Sequence, residues 1–188
     1  ENTFNVIKLD KAHIQVKKMT AMINGFLNVS SFEAGKIYLN EQTFEMNALL
    51  NEIVEEVTLI TASHNMVVLS CPTVSVKADR DKIGQVINNF LSNAVKYSRP
   101  GSTIEVACIQ VDGSARVSAS DEGLGIEKEH LAKLFQRYYR VNNNNHISGF
   151  GIGLYLSAEI IGRHGGRIWV ESEPGKGSTF YFSLPVKQ

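Results

Sequence analysis

The sequence predicts an α+β fold: a two-layer α/β sandwich with helices on one face of a mostly antiparallel mixed sheet, plus an N-terminal bundle-forming helix. Three observations carry that prediction. Asp112-Gly113 separates two alternating stretches, 103–111 and 114–119, which is a strong hairpin signal. A second pair of strand patterns, 167–171 and 178–184, closes the chain antiparallel. Helical patterns are scattered among these strands without the regular βαβ rhythm of a parallel sheet.

The elements follow in order. Over residues 4–33, Leu9, Ala12, Val16, Met19, Ile23 and Phe26 alternate spacings of three and four, a heptad seam that asks for a partner helix. A bundle or dimer is expected there in preference to a helix folded back on its own domain. Ser30, Ser31 and Gly35 break the pattern, and Asn40-Glu41-Gln42 reads as a polar turn at the boundary with a second domain. Leu49, Leu50, Ile53, Val54 and Val57 give 46–60 a helical period, and 66–69 and 74–77 are short strands flanking Cys71-Pro72. Asp79 is an N-cap for a helix that ends near Ser98, before Arg99-Pro100-Gly101. After the hairpin, 152–163 is a helix stopped by Gly165-Gly166.

Composition narrows the classes of function. The chain has 188 residues, 43% hydrophobic and 20% charged, enough for one good core and an appended helix. Its formal net charge is zero, which removes any charge argument for a nucleic acid or an anionic membrane as partner. Cys71 and Cys108 lack metal-site spacing and read as reduced thilos of a cytoplasmic protein, so no disulfide framework is expected. No apolar run approaches the roughly 18 residues of a membrane span, and the start has no signal-peptide pattern. The first residue is Glu1 and not Met, which reads as a piece cut from a longer parent, in which a membrane anchor or sensor would lie upstream.

The chemistry concentrates in the helix after Asp79. Asn89, Asn93, Lys96 and Tyr97 stand at i, i+4, i+7 and i+8 and share one face, while Ile83, Val86, Ile87, Phe90, Leu91, Ala94 and Val95 supply an apolar side. Asn is a poor helix former, so its recurrence points to work for the amides. Neutral oxygens beside a lysine suit magnesium with a polyphosphate. Two glycine motifs follow. In Asp121-Glu122-Gly123-Leu124-Gly125-Ile126 the glycines let the backbone bend close to a ligand, and Asp121 can accept a hydrogen bond from an amino group such as that of adenine. Read alone, this is as much an Asp-Gly turn as a binding loop. Ser148-Gly149-Phe150-Gly151-Ile152-Gly153-Leu154 opens a helix whose free N–H groups would face a phosphate. Asn142-Asn143-Asn144-Asn145-His146 precedes it where a dinucleotide fold would need an apolar strand, and 142–148 reads as a mobile loop over a nucleotide or as a plain surface linker. Between the motifs, Phe135, Arg137, Tyr138, Tyr139 and Arg140 offer aromatic anchors and cations for phosphate, or a packed surface patch.

Taken together these motifs resemble the N, G1, F and G2 boxes of the ATP-binding catalytic domain of sensor histidine kinases, in that family's order across residues 79–185, with the ending His164-Gly165-Gly166 to Pro185 typical of it. The resemblance implies ATP with Mg²⁺ as cofactors. Asn89 and Asn93 would hold the metal and phosphate oxygens, and Lys96 would contact phosphate. Tyr97, Asp121, Gly123, Gly125, Ile126 and Phe135 would surround the nucleoside, and Gly149, Gly151, Gly153 and Leu154 would flank the phosphates. Asn89, Lys96, Arg137 and Arg140 would form the catalytic set. Related ATPases hydrolyse ATP with a glutamate at the position of Asn89, and a carboxamide is no general base toward water, so transfer to a histidine is expected over hydrolysis.

That histidine is missing. His13 is followed by Ile14-Gln15-Val16, without the acidic residue and proline of the family's acceptor box, and His64, His130, His146 and His164 lack the context as well. Residues 1–40 therefore resemble the second helix of the dimerisation and phosphoacceptor hairpin, and 41–188 the catalytic domain. The implied partners are the parent's phosphoacceptor helix, a response regulator and a second copy joined through the N-terminal helix. A degenerate interaction module, or an ATPase or serine kinase of the same fold, remains the alternative.

Overall fold

The computed structural model describes residues 38–69, 71–141 and 150–186, together with Val16, Met19, Thr20 and Ile23. The chain divides into two compact units, Glu1–Tyr38 and Leu39–Gln188. In the first, Val16, Met19, Thr20 and Ile23 are helical, and the Thr20 hydroxyl donates to the Val16 carbonyl at 3.0 Å. Val16, Met19 and Ile23, three members of the heptad seam, are exposed within the chain. Leu9, Ala12, His13 and Phe26 lie outside the described residues.

The second unit is the sandwich the sequence predicts. Its strands are β1 (Glu41–Glu45), β2 (Asn65–Val68), β3 (Ser75–Asp79), β4 (Thr103–Val111), β5 (Ser114–Asp121), β6 (Arg167–Glu173) and β7 (Gly177–Pro185). Its helices are α1 (Met46–Ile60), α2 (Arg80–Tyr97), a single turn α3 (Lys128–Leu131) and α4 (Gly153–Arg163). The main sheet runs β2-β4-β5-β7-β6, antiparallel except for the β2–β4 pair, and β1 and β3 form a separate antiparallel pair. One face of the main sheet buries Ile104, Val106, Val117, Phe180, Phe182 and Leu184. Burying a Leu, Ile or Phe side chain contributes roughly 1.5–3 kcal/mol, so this layer together with the helix residues packed on it supplies much of the stability. Phe90 of α2 joins it, its ring centroid 5.5 Å from Phe180 and 6.1 Å from Phe182.

The local signals act as read. Asp112 and Gly113 both have positive φ, 49° and 71°, the geometry of a two-residue type I′ turn between Val111 and Ser114. Asp79 caps α2 by accepting the Lys82 N–H at 3.1 Å. Helix α4 ends where Gly165, at φ 68°, takes the left-handed position, with Gly165 N–H bonded to the Gly162 carbonyl and Gly166 N–H to that of Ile161.

One expectation fails. Glu41 and Gln42 are not a turn but the start of β1, paired with Asp79 and Ala78. The pairing is tertiary: the ladder to β3, the Asn40 N–H on Asp79 Oδ2 at 3.0 Å and the Lys77–Glu41 ion pair at 3.6 Å fix a segment whose side chains are mostly exposed. Strand β2 also sits one residue before its expected limits, β3 starts one residue later and ends two residues later than expected, and Val95 is half-buried where core was expected.

Candidate functional site

Asp121 ends β5 with its side chain turned into the layer between sheet and helices, 7% exposed. Its Oδ1 accepts the Gly123 N–H at 2.8 Å. Burial pushes the carboxyl pKa above the ordinary aspartate value, while backbone N–H donation from Gly123 and Ser178 pulls it back. The turn that follows is built by close approach. A Cβ on Gly123 would collide with Asp121 Oδ1 and lie 2.6 Å from the Tyr97 carbonyl oxygen, which in turn accepts the Leu124 N–H at 3.3 Å. Gly125, at φ 67°, has its Cβ position blocked by the Glu173 carbonyl, and Gly177 has its own blocked by the Asp121 carbonyl. The end of α2, the Asp121–Ile126 turn and the β6–β7 turn are thereby interlocked. Ser172 Oγ completes the lock: it accepts the Ile126 N–H at 2.9 Å, donates to the Gly177 carbonyl at 2.8 Å and lies 2.9 Å from Ser178 Oγ. A polar cleft of about 340 Å³ opens at the ends of β5, β6 and β7, lined by Asp121, Glu173, Lys176 and Ser178 together with Ser120, Glu171 and Thr179, and by no residue of α2 or α4.

On α2, Asn89, Asn93 and Lys96 are half-buried, and Tyr97 is 39% exposed. The Lys96 ammonium sits 4.8 Å from the centre of the Tyr97 ring. Asn89 points to α4: its Nδ2 donates to Ser157 Oγ at 3.0 Å, and a Cβ on Gly153 would collide with its Oδ1. Glycine at 153 is what lets α2 and α4 meet at that amide. Leu154 is half-buried on the first turn of α4, behind the buried Ile152.

The segment before residue 142 returns to the same place. Tyr138, a non-glycine residue at φ 63°, donates its N–H to the Gly151 carbonyl at 2.9 Å, and a Cβ on Gly151 (φ 68°) would fall 2.7 Å from the Tyr138 carbonyl carbon. Phe135 is half-buried next to the buried Leu134. The Arg137 guanidinium lies 4.8 Å from the Tyr138 ring centre and donates to its hydroxyl at 2.9 Å. Arg140 is half-buried at the end of the segment. Gly149 and the stretch 142–148 lie outside the described residues, so the expectations attached to them do too.

The structure thus brings together Asp121, Gly123 and Tyr97 at one end, Asn89 and Gly153 at the other, and Tyr138 with Gly151 beside Gly153. Sequence reading missed Ser157, Ser172 and Ser178, all hydrogen-bonded between segments. Ser157 carried a usable signal, a lone hydroxyl three residues before Ile160 on the buried face of α4. Ser178 carried another, as the polar residue directly after Gly177.

Other reactive groups are accounted for. His164 donates from Nδ1 to the Ile160 carbonyl at 2.7 Å and accepts the Asp79 N–H at Nε2 at 3.0 Å, so both ring nitrogens are structural. His130 Nδ1 is 2.7 Å from the Tyr139 hydroxyl, and His64 Nδ1 is 2.8 Å from Ser63 Oγ. Burial pushes the Cys71 thiol up and the Cys108 thiol up to about 12, so neither is a thiolate nucleophile near neutrality. Among the described residues no cluster of three or more His, Cys, Asp or Glu side chains could hold a metal, and no helix is long and apolar enough to cross a membrane.

Residues 78–188 match the family model described as histidine kinase-, DNA gyrase B- and HSP90-like ATPase. The chain is 32% identical over 180 residues to the sensor histidine kinase WalK of Bacillus subtilis, an alignment covering 93% of this chain and 30% of WalK. It is thus similar to under a third of that relative's length. Among solved structures it is similar to the mycobacterial sensor histidine kinase MprB, with a TM-score of 0.70 and 25% identity over 78% of this chain and 98% of the other. Full-length ShkA in complex with AMPPNP shares the fold, with a TM-score of 0.80 and 23% identity over 90% of this chain and 36% of ShkA.

Proposed function

The chain belongs to the family of histidine kinase-, DNA gyrase B- and HSP90-like ATPases, and from that premise we propose that it is the ATP-binding catalytic part of a sensor protein-histidine kinase, which transfers the γ-phosphate of ATP to a histidine for relay to a response-regulator aspartate. One observation supports this reading: a buried carboxylate, Asp121, accepts the Gly123 N–H at the end of β5, and glycine at 123 and 177 leaves free the space where a Cβ would collide with Asp121. The AMPPNP bound by ShkA, a protein of the same fold, supports a nucleotide as ligand.

The roles follow from the chemistry of each group. Asp121 accepts a hydrogen bond from the adenine amine, with Tyr97, Gly123, Gly125, Ile126 and Phe135 around the nucleoside. Lys96, Arg137 and Arg140 supply cations for the phosphates, and Gly151, Gly153 and Leu154 border them at the start of α4, where free N–H groups favour an anion, the part proposed for Gly149 resting on the glycine motif alone. Asn89 and Asn93, one turn apart on α2, are the residues that would hold magnesium. Two neutral amide oxygens with no carboxylate suit an ion that keeps several waters and takes its remaining ligands from phosphate. Bound there, the ion would neutralise phosphate charge.

With Asn89 in place of a carboxylate, no group at that position takes a proton from water, so the residues orient a phosphoryl group for an acceptor delivered by another segment. None of the histidines described here is positioned as that acceptor. The acceptor belongs to the first helix of a dimeric hairpin, for which the exposed Val16, Met19 and Ile23 supply part of the matching seam.

The test uses γ-labelled ATP. The purified chain releases phosphate at close to the blank rate and takes up no label itself, while a phosphoacceptor hairpin from the parent kinase becomes labelled when mixed with it. Sustained phosphate release with no labelled acceptor would make the chain an ATPase. Label on the chain that disappears in His13→Ala would show that the acceptor had been present all along.

A further inference from the structure

We propose that Ser157 is a positioning residue for nucleotide-bound magnesium: its hydroxyl fixes which atom of the Asn89 carboxamide is presented as a metal ligand. The inference rests on the function proposed above and adds a residue that takes no direct part in binding.

Ser157 is 2% exposed, on the face of α4 that meets α2. Its Oγ lies 3.0 Å from the Gly153 carbonyl oxygen and 3.0 Å from the Asn89 amide. A carbonyl only accepts, so the single hydroxyl hydrogen of Ser157 goes to Gly153. Oγ is then left with lone pairs alone toward Asn89, and the amide atom facing it must donate. That atom is Nδ2. Oδ1 is directed instead to the space where a side chain at Gly153 would be, and Gly153 itself is exposed.

An unassisted carboxamide has nearly symmetric ends, and a half turn about its terminal bond exchanges an oxygen that can bind a cation for an NH₂ that repels one. Removing the Ser157 hydroxyl permits that exchange and leaves the Asn89 side chain in place. Groups that orient a metal ligand through its other atom typically hold about tenfold to a hundredfold in metal affinity. The expected loss lies at the low end of that range, because Asn89 is one of two amides in the set.

The experiment measures binding of a non-hydrolysable ATP analogue to the whole chain by calorimetry, with magnesium and with EDTA, for wild type and Ser157→Ala. The ratio of the two affinities isolates the metal-dependent part. In Ser157→Ala that ratio falls about tenfold, with affinity in EDTA and the melting temperature close to wild type. An unchanged ratio overturns the proposal. Equal losses with and without magnesium overturn it too, since they describe a packing defect. Should the alanine variant fold poorly, the isosteric pair Ser157→Thr and Ser157→Val decides: the threonine keeps the ratio and the valine loses it, and equal ratios count against a role for the hydroxyl. If wild type binds the analogue with no magnesium dependence, the function proposed above fails first, and the two failures are distinguishable.

Discussion

The two ends of the site are held by different means. At the Asp121 end, three chain segments interlock through backbone: Gly123 against the Tyr97 carbonyl, Gly125 against Glu173, Gly177 against Asp121. At the Asn89 end, two helices meet through side chains, with the amide of Asn89 between Ser157 and the Cα of Gly153. Backbone against backbone has no rotamer to yield, whereas an amide can turn. The Asp121 end is therefore preformed and intolerant of added atoms, and the Asn89 end is adjustable and depends on single hydrogen bonds.

The sharpest way to break this contrast is to add one methyl group at each end. Gly177→Ala places a Cβ onto the Asp121 carbonyl at a φ of 105°, and nothing near it can rotate away. We expect a loss of about 3 kcal/mol in denaturant unfolding, from strain together with overpacking. Gly175→Ala, two residues earlier with φ 78° and open space around it, is the control. Only the left-handed backbone penalises it, by about 1 kcal/mol. Equal costs at 175 and 177 would mean that the interlock adds nothing.

Asp121→Asn comes next. Replacing the charged acceptor by an amide weakens ATP binding by about 1.5–3 kcal/mol if the hydrogen bond to adenine is desolvated, measured by titration, with the magnesium dependence unaltered. Unchanged affinity would remove Asp121 from base recognition. Gly153→Ala is smaller in stability and selective in function. Its Cβ meets the Asn89 side chain, not backbone, so the amide shifts and the fold survives. The expected reading is about a tenfold loss of magnesium-dependent affinity, with a melting temperature near wild type. Loss of the fold would contradict the adjustable character given to this end.

The smallest effect is the pH dependence of Asp121. Its carboxyl pKa is raised in the fold by burial, so between the unfolded and folded values the folded chain binds more protons than the unfolded one. Stability without nucleotide then falls as pH rises through the window just above the ordinary aspartate value of 3.8, and the penalty stays at higher pH. The melting temperature of Asp121→Asn relative to wild type is expected to rise across that window. A flat difference would mean that the donors at Gly123 and Ser178 offset burial completely.

The same division between local and tertiary explains what the sequence could reveal. The hairpin turn at Asp112-Gly113, the Asp79 cap and the apolar face of α2 depend on neighbours within a few residues, and they appear where they were read. Strand β1 was invisible because Glu41–Glu45 owes its conformation to β3, thirty or more residues away, and to the Asn40 N–H bond to Asp79. The glycine motifs were legible as motifs. Which backbone each glycine meets was not, since Gly125 faces Glu173 and Gly177 faces Asp121 across the fold. The serines were the least legible: Ser157 and Ser172 act by bridging segments, and a hydroxyl on a helix or strand looks the same whether or not it bridges.

A magnesium-dependent, adenine-selective nucleotide site is what we propose for this chain. Calorimetric titration with a non-hydrolysable ATP analogue, with and without magnesium and beside the corresponding GTP analogue, tests it most directly. Binding strengthened by magnesium and selective for adenine is expected. Absence of binding, or equal affinity for the two bases, would contradict it and leave an interaction module that keeps the fold without the chemistry.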